Sequence, residues 1–294
     1  MRRLDTGQKR RGSVRKREAV TGALFALPAV VGTVLFFGVP FLINLGKSFF
    51  RGNRFVLFRN YSEVVTNGVF RMAVGNTAKF LLVSVPLILV ISLGIALLLY
   101  RKLRGHTFFR TVFVFPMVLP VASVILFFDI LFTETGALNA VLSALGIPAV
   151  NWLNSGRAFW VLVLLYIWKN IGYDIVLFLA ALNSVSREFY EAAELEGATR
   201  EQRLRFVTLP MIVPHLTFLT VISVTNGFKA FREAYILCGD YPHSSIYMLQ
   251  HYINNNFQNL SYQKLSVATI LVFLLILALV LGLFGLRRRR ERSQ

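Results

Sequence analysis

The chain has 294 residues, of which 55% are hydrophobic and 16% are charged, and its mean hydropathy is +0.60. A soluble domain of this length carries more charge, so the composition excludes an ordinary water-soluble protein and favours a membrane protein. The net charge of +18 does not indicate a nucleic-acid partner, because Lys and Arg flank apolar runs and no nucleic-acid-binding motif is present.

Six apolar segments predict six transmembrane helices, since about 20 apolar residues cross the hydrocarbon core as a helix. Five of them contain no charged residue: 19–46, 80–100, 111–128, 206–228 and 265–286. The other segment, 158–182, is interrupted by Lys169 and Asp174 but is apolar on both sides of them. The expected fold class is therefore all-α, a polytopic bundle of membrane helices. We expect Pro116 and Pro120 to kink the third helix.

The distribution of positive charge predicts the orientation, because Lys and Arg concentrate in cytoplasmic loops. If the N-terminus is cytoplasmic, the inner segments hold 21 of the 32 Lys and Arg residues within 55 positions. These segments are 1–18, 101–110, 187–205 and 287–294. The outer segments, 47–79, 129–157 and 229–264, hold 10 within 98 positions, six of them in the first segment. Both termini are therefore expected in the cytoplasm.

Catalytic and metal-binding motifs are absent from the sequence. Cys238 is the single cysteine and the four histidines lack metal-ligand spacing, so neither a metal nor another cofactor is expected. A phosphate-binding GxxxxGK[ST] loop is also absent, so the chain is not expected to hydrolyse ATP by itself. No set of paired acids or activated nucleophile is visible at membrane depth, and an enzymatic function is not expected.

The segment between the fourth and fifth spans, residues 186–210, has the pattern of a helix, a glycine and a second helix. Ser186 is a suitable N-cap, with Glu188 in the favourable first turn. Gly197 suits the left-handed position that ends a helix. Thr199 and Gln202 have the spacing of a capping box for the second helix. The sequence therefore predicts a short helix held between two membrane spans.

The predicted surface of this short helix has two features. Ala192 and Ala193 are small, so another protein could approach the backbone closely. Glu188, Glu191 and Glu194 recur every three residues and are expected to form an acidic ridge. These features fit either a docking surface for a partner protein or a solvated amphipathic loop, and the residues alone favour neither.

A family resemblance is carried by this segment. Glu191, Ala192, Ala193, Gly197, Leu209 and Pro210 stand at the spacing of the EAA-x3-G-x9-I-x-LP motif of ABC-importer permeases, with Val207 replacing the isoleucine. Gly75-Asn76-Thr77 resembles the start of the type 1 permease core. The segments 226–235 and 249–257 resemble the sugar branch, which includes maltose and glycerol-3-phosphate permeases. The segment 239–243 departs from that branch's pattern, which leaves the substrate subclass open.

The resemblance implies a type 1 importer permease fold in a bacterial cell membrane. It divides the chain into 1–70, with the first helix and an outer loop, a permease core at 71–286, and a basic tail at 287–294. By similarity, the residues that match the motif couple transport to cytoplasmic ATP-binding subunits. The other implied partners are a second, homologous permease subunit and an extracytoplasmic substrate-binding protein, in contact with membrane lipid. The implied cargo is a sugar or oligosaccharide.

Lys169 and Asp174 are the candidate residues of a translocation path, because intramembrane charges usually face the bundle interior or a cavity. They could instead lie near the bundle surface, with their side chains extended towards water. A self-sufficient ion-coupled secondary carrier is the alternative function. Such a carrier needs several buried acids, and only Asp174 and marginally Asp129 qualify. It would also leave the EAA-like segment unexplained.

Overall fold

The structure is a computed structural model that describes residues 5–100 and 106–291, and nearly all of them are helical. The α-helices are α1 (Asp5–Thr33), α2 (Val39–Ser48), α3 (Arg59–Thr66), α4 (Gly68–Tyr100), α5 (His106–Val118), α6 (Val121–Phe132), α7 (Ala137–Ala144), α8 (Ala158–Asn183), α9 (Arg187–Leu195), α10 (Arg200–Arg203), α11 (Leu209–Lys229), α12 (Phe231–Cys238), α13 (Leu249–Gln258) and α14 (Tyr262–Glu291). π-helical turns at Val34–Gly38 and Leu204–Thr208 precede α2 and α11, and a 3₁₀ turn at Ser244–Ile246 precedes α13. The antiparallel strands β1 (Phe50–Arg51) and β2 (Arg54–Phe55) form a small hairpin between α2 and α3.

The prediction of six membrane spans is confirmed. Within the described part of the chain, six helical segments are long and apolar enough to cross a membrane. They are Ala19–Ser48, Gly68–Tyr100, Val121–Ala144, Ala158–Asn183, Arg200–Cys238 and Tyr262–Gly285. The fold class is therefore a polytopic α-helical bundle, and the two-residue strands of the hairpin are its one small β element among the described residues.

The second span begins earlier than the sequence predicts. The charge-free run starts at residue 80, whereas α4 starts at Gly68. The side chain of Asn67 accepts a hydrogen bond from the backbone N–H of Phe70 at 3.0 Å, which caps the helix at this point. Arg71 and Lys79 are therefore carried on the extended first turns of α4 rather than on a loop.

The third span lies later than the predicted run 111–128, because that run is broken rather than kinked. The segment long enough to cross the membrane here is Val121–Ala144, which starts after the break. Pro116 lies inside α5, and the helix ends at Val118, while Pro120 has extended backbone angles and α6 starts after it. α5 packs against the later half of α8, and α6 packs against the earlier half, where Val161 and Leu165 lie. α5 and α6 therefore run antiparallel to α8 one after the other.

The loops lie at two ends of the bundle. We call the end that carries α9 and α10 the basic end, and the end that carries α13 the opposite end. At the basic end, Tyr100 and Leu182, from the last turns of α4 and α8, line a cleft of 600 Å³ together with Tyr190 of α9. At the opposite end, the Asn76 side chain donates hydrogen bonds to the carbonyls of Ser244, at 2.6 Å, and Tyr247, at 2.9 Å. The neighbouring hydroxyl of Thr77 accepts a hydrogen bond from the backbone N–H of Leu249 at 3.0 Å. The Asn76-Thr77 pair thus anchors the start of α13 to α4.

His251 of α13 is fully buried at the opposite end. Its Nδ1 accepts a hydrogen bond from the backbone N–H of Met248 at 3.1 Å, and its ring meets the ring of Phe231, the first residue of α12, at 4.6 Å. Burial lowers the pKa of His251 to about 4, and the nearby charge of Asp240 opposes this shift only in part. The side chain is therefore neutral at physiological pH and helps to fix the start of α12.

Gly172 of α8 lies at a very close contact with α5. A Cβ atom at this position would overlap the backbone oxygen of Phe113 and lie 2.8 Å from the Cα of Val114, both in α5. These are backbone atoms, so a side chain at position 172 would have to push the whole of α5 away. Small residues allow membrane helices to pack this closely.

Gly172→Ala is expected to lower the thermal stability of the purified protein in detergent, because the added methyl group separates α5 from α8. Overpacking of this kind costs about 1–3 kcal/mol. Gly94→Ala is the matched control, since a Cβ there meets no atom within 4 Å. Equal melting temperatures for Gly172→Ala, Gly94→Ala and the wild type would contradict the close contact.

Acidification is expected to destabilise the fold through His251. Above the ordinary histidine pKa of 6.5, the side chain is neutral in both the folded and the unfolded chain. Below that pH, the unfolded chain binds a proton that the folded protein excludes, so stability falls until the pH reaches about 4. The loss is at most about 3 kcal/mol.

The comparison for this effect is His251→Asn, whose side-chain oxygen keeps an acceptor for the Met248 N–H but does not titrate. The melting temperature of this variant should fall less than that of the wild type between neutral pH and about pH 5. His215→Asn, at an exposed position, serves as the control. Parallel pH profiles for the wild type and His251→Asn would show that His251 has no part in the pH dependence.

Candidate functional site

The helix–glycine–helix prediction for residues 186–210 is confirmed by α9 and α10. The Ser186 hydroxyl accepts a hydrogen bond from the backbone N–H of Glu188 and so caps α9. Thr199 and Gln202 form a reciprocal capping box at α10, with the side-chain oxygen of Gln202 2.7 Å from the backbone N of Thr199. Residues within the segment itself therefore determine where the two short helices begin.

Gly197 ends α9 in a left-handed conformation, with φ of +75°. Its N–H bonds to the carbonyl of Glu194 at 3.0 Å, and the N–H of Ala198 bonds to the carbonyl of Ala193 at 2.9 Å. This pair of bonds is a Schellman motif, in which an L side chain at the glycine position is strained. The space around Gly197 is open, so backbone conformation, not crowding, requires glycine here.

One face of α9 is open to solvent. Glu188, Glu191, Ala192 and Leu195 stand at the i, i+3, i+4, i+7 spacing of a single helix face, and all four are exposed. Leu195 is 91% exposed, and the neighbouring Phe189 is 50% exposed. We did not predict Leu195 from the sequence, although its spacing from Glu188 contained the signal. An exposed leucine beside an alanine and two carboxylates is suited to contact with another protein.

The expected acidic ridge of three glutamates is not intact. Glu194 turns away from Glu188 and Glu191 and forms an ion pair with Arg203 of α10. Half-buried Ala193 also lies off the exposed face. The ion pair holds α9 against α10.

A second contact ties α9 to the start of the fifth span. The hydroxyls of Tyr190 and Thr208 are 3.0 Å apart and hydrogen-bonded, and Tyr190 also packs against the buried core. Together with the ion pair between α9 and α10, this bond makes α9 an extension of α11 rather than a free loop.

Leu209 and Pro210 form the joint between this segment and α11. The N–H of Leu209 bonds to the carbonyl of Leu204, five residues back, which gives a π-helical turn. Pro210 has no N–H to continue the normal α-helical ladder, which accounts for the irregular turn in front of it. Leu209 is half-buried against the core, whereas Pro210 is exposed.

The two intramembrane candidates, Lys169 and Asp174, have different partners. Lys169 forms an ion pair with Glu233 of α12, and their side chains are only 17% and 10% exposed. Asp174 is 2% exposed and accepts a hydrogen bond from the hydroxyl of Ser223 in α11 at 3.2 Å. We did not predict Glu233 as an intramembrane acid, because it follows the charge-free run that defines the fifth span.

Lys169 and Glu233 border a cavity of 130 Å³ between α8 and the α11–α12 helix pair. Its other lining residues are Leu162, Leu165, Tyr166, Asn170, Asn226, Lys229, Ala230 and Arg232. The Tyr166 hydroxyl donates a hydrogen bond to the carbonyl of Ser223 at 2.7 Å. Since Tyr166 and Asp174 lie on either side of the middle of α8, their shared neighbour Ser223 lies near the middle of the bundle. The cavity is polar and large enough for several waters.

The described residues form a six-span helical bundle with a capped, solvent-exposed helix at one end, which defines a polytopic membrane protein. Residues 88–293 match the family model described as binding-protein-dependent transport system inner membrane component. The chain belongs to this family, which confirms the resemblance carried by the EAA-like segment.

Two relatives and one solved structure extend this assignment. The lactose transport system permease protein of Rhizobium radiobacter is 31% identical, covering 96% of this chain and 98% of that protein. The trehalose/maltose transport system permease protein of Thermococcus litoralis is 29% identical, covering 94% and 96%. A bacterial alginate ABC transporter, solved with alginate pentasaccharide-bound periplasmic protein, contains a chain with a TM-score of 0.81 and 24% identity, covering 93% of this chain and 96% of that one. That structure shows that the fold is shared.

Reversing either charge of the Glu194–Arg203 pair is expected to loosen α9 and α10. Glu194→Lys or Arg203→Glu should increase hydrogen–deuterium exchange in peptides covering residues 187–203, and the double variant should restore protection. A half-exposed pair contributes on the order of 1 kcal/mol, so exchange should rise several-fold without global unfolding. Glu196→Lys is the control, because Glu196 forms no ion pair with the described residues. Unchanged exchange in both single variants would show that the pair does not hold the two helices together.

Proposed function

We propose that this chain is one of two membrane-spanning permease subunits of an ATP-driven importer for a sugar or oligosaccharide. Family membership supports the transport role, and the names of its permease relatives support the class of cargo. The observation that carries the proposal is the exposed face of α9. It presents the EAA-like residues on a braced helix at the end of the bundle where positive charge is concentrated.

In this proposal, the exposed face of α9 docks into a groove of a cytoplasmic ATP-binding subunit, which hydrolyses the ATP. Glu191 supplies a charge for a cationic groove, and Ala192 allows close approach on the exposed face. Ala193 keeps the adjoining side of the helix small, and Gly197 sets the direction of the helix. Movement of the docked helix passes into α11 through the ion pair of Glu194, the bond between Tyr190 and Thr208, and the Leu209-Pro210 joint.

The proposed orientation places the basic end, both termini and α9 in the cytoplasm of a bacterial cell. The opposite end then faces an extracytoplasmic substrate-binding protein, and a second, homologous permease completes the membrane part. We also propose the division into a first-helix region at 1–70, a permease core at 71–286 and a lipid-contacting basic tail at 287–294. The excess of Lys and Arg at the basic end supports this orientation.

Lys169 and Asp174 are proposed to serve the translocation path in different ways. Lys169 borders the polar cavity and, with Glu233, keeps α8 and α12 together there. Asp174 is buried beneath the path surface and, through Ser223, holds α8 against α11. An ion-coupled carrier would use such acids as ion sites. The family match favours the importer, because it assigns the chain to a transport system that uses a separate binding protein.

Glu191→Lys and Gly197→Val are expected to abolish sugar uptake while leaving membrane insertion intact. The first variant reverses the charge of the docking face, and the second forces a β-branched residue into the left-handed conformation. Uptake is measured with radiolabelled neutral and anionic sugars, among them lactose, trehalose and trigalacturonate, in a host whose own copy of the gene is deleted.

Two matched controls accompany these variants. Glu201→Lys makes the same charge change at an exposed position of α10, outside α9. Gly146→Val places valine at an open left-handed glycine, with φ of +75°, at the opposite end. Both controls should retain uptake. Wild-type uptake by Glu191→Lys and Gly197→Val together would rule out the coupling role of α9.

A further inference from the structure

The intramembrane cavity is formed by two facing helical stripes. One stripe runs along α8 through Leu162, Tyr166, Lys169 and Asn170, and the other runs along α11 and α12 through Asn226, Lys229, Ala230 and Glu233. Both have the spacing of a single helix face. The polar residues of the two stripes therefore share one space instead of facing lipid separately.

The charges around this cavity do not balance. Lys169, Lys229 and Arg232 are positive, and Glu233 is the single acidic residue of the lining. Glu233 is already paired with Lys169. Lys229 and Arg232 form no ion pair with any acid in the described ranges, so two positive charges remain uncompensated.

Both cations are exposed on this single subunit, and their separation from Ser223 along the helices, about 9 Å for Lys229 and about 14 Å for Arg232, lies within half the expected thickness of the hydrocarbon core. Ser223 is near the middle of the bundle, and half of the hydrocarbon core is about 15 Å thick. An unpaired cation at such a depth is costly unless water, a partner charge or an anionic ligand compensates it.

We propose that the sugar carried by this importer is anionic, bearing a carboxylate or phosphate group that Lys229 and Arg232 recognise beside the cavity. The proposal rests on the import function proposed above. Arg232 offers a planar fork that matches two oxygens of a carboxylate or phosphate, and Lys229 adds a point charge. Asn170 and Asn226 provide amide donors in the same lining.

The size of the cavity agrees with recognition of a charged group. Its volume of 130 Å³ holds a carboxylate or a phosphate, or about four waters at their volume in the liquid. The rest of an oligosaccharide would lie outside the cavity, along the path. A neutral sugar would leave both cations unpaired at the moment of passage, whereas an anionic sugar compensates them.

The electrostatic part of the proposal is tested on the complete importer, purified with its partner subunits. In a Cys238→Ser background, the Asn226→Cys variant places a single thiol in the cavity lining. The rates of its reaction with a negatively and a positively charged methanethiosulfonate reagent are compared, each divided by the rate with free cysteine. We expect the anionic reagent to be favoured roughly tenfold. Adding Lys229→Gln and Arg232→Gln should abolish this preference.

Equal normalised rates for the two reagents, or a preference for the cationic one, would overturn the proposal. That result would mean that an acidic group, such as one from the second permease subunit, already neutralises Lys229 and Arg232 in the assembly.

The substrate part is tested by uptake of radiolabelled trigalacturonate, glucose 6-phosphate and maltotriose, in a host that depends on this gene. Uptake of one of the two anionic probes is expected, and it should fall roughly tenfold or more in Lys229→Gln/Arg232→Gln. The control is Arg157→Gln, which removes an exposed cation outside the cavity lining.

The outcomes separate this inference from the function on which it rests. Gene-dependent uptake of maltotriose alone would overturn the anionic substrate class and leave the import function standing. A purified assembly that contains no ATP-hydrolysing subunit would overturn the import function itself. Transport of trigalacturonate but not glucose 6-phosphate would assign a carboxylated sugar, and the reverse would assign a phosphorylated one.

Discussion

The hydrocarbon core allows only backbone whose polar groups are paired within the protein, and this constraint shapes the whole chain. The six spans are helical for this reason, and several of their irregularities lie beside proline residues. The helix breaks at Pro120, and π-helical turns stand directly before the Val39-Pro40 and Leu209-Pro210 pairs. In each π-helical turn, the residue before proline bonds five residues back, so the chain bends while most backbone groups keep their partners.

The π-helical turn before Leu209-Pro210 lies in the segment that connects α9 with the intramembrane cavity. The segment Arg200–Cys238 is 39 residues long and runs from α10 through α11 to α12. Near its start, Arg203 holds Glu194 of α9, and near its end, Glu233 holds Lys169 of α8. The exposed face of α9 and the intramembrane cavity are therefore both attached to the segment Arg200–Cys238. In the proposed importer, a displacement of α9 reaches the cavity without any further contact, because packed helices transmit strain well.

Much of this arrangement could be predicted from local sequence, and the remainder could not for a physical reason. The apolar runs predicted the number of spans. The capping residues predicted α9, α10 and the left-handed conformation of Gly197, because each of these features depends on neighbours within a few residues. The partner of Lys169 is 64 positions away, and the hydrogen bond between Asn76 and Tyr247 joins residues 171 positions apart. Such pairings depend on which helices meet, and hydrophobic periodicity does not specify that.

The central claim is that the exposed face of α9 contacts an ATP-hydrolysing subunit. Its most direct test is to place a photo-cross-linking amino acid at Leu195 and, as a control, at Tyr241, which is 72% exposed at the opposite end. Cross-linked products from membranes of the native host are identified by mass spectrometry. We expect an adduct with an ATP-binding protein from position 195 and not from position 241. Illumination that gives no such adduct from position 195, or the same adduct from both positions, would contradict the claim.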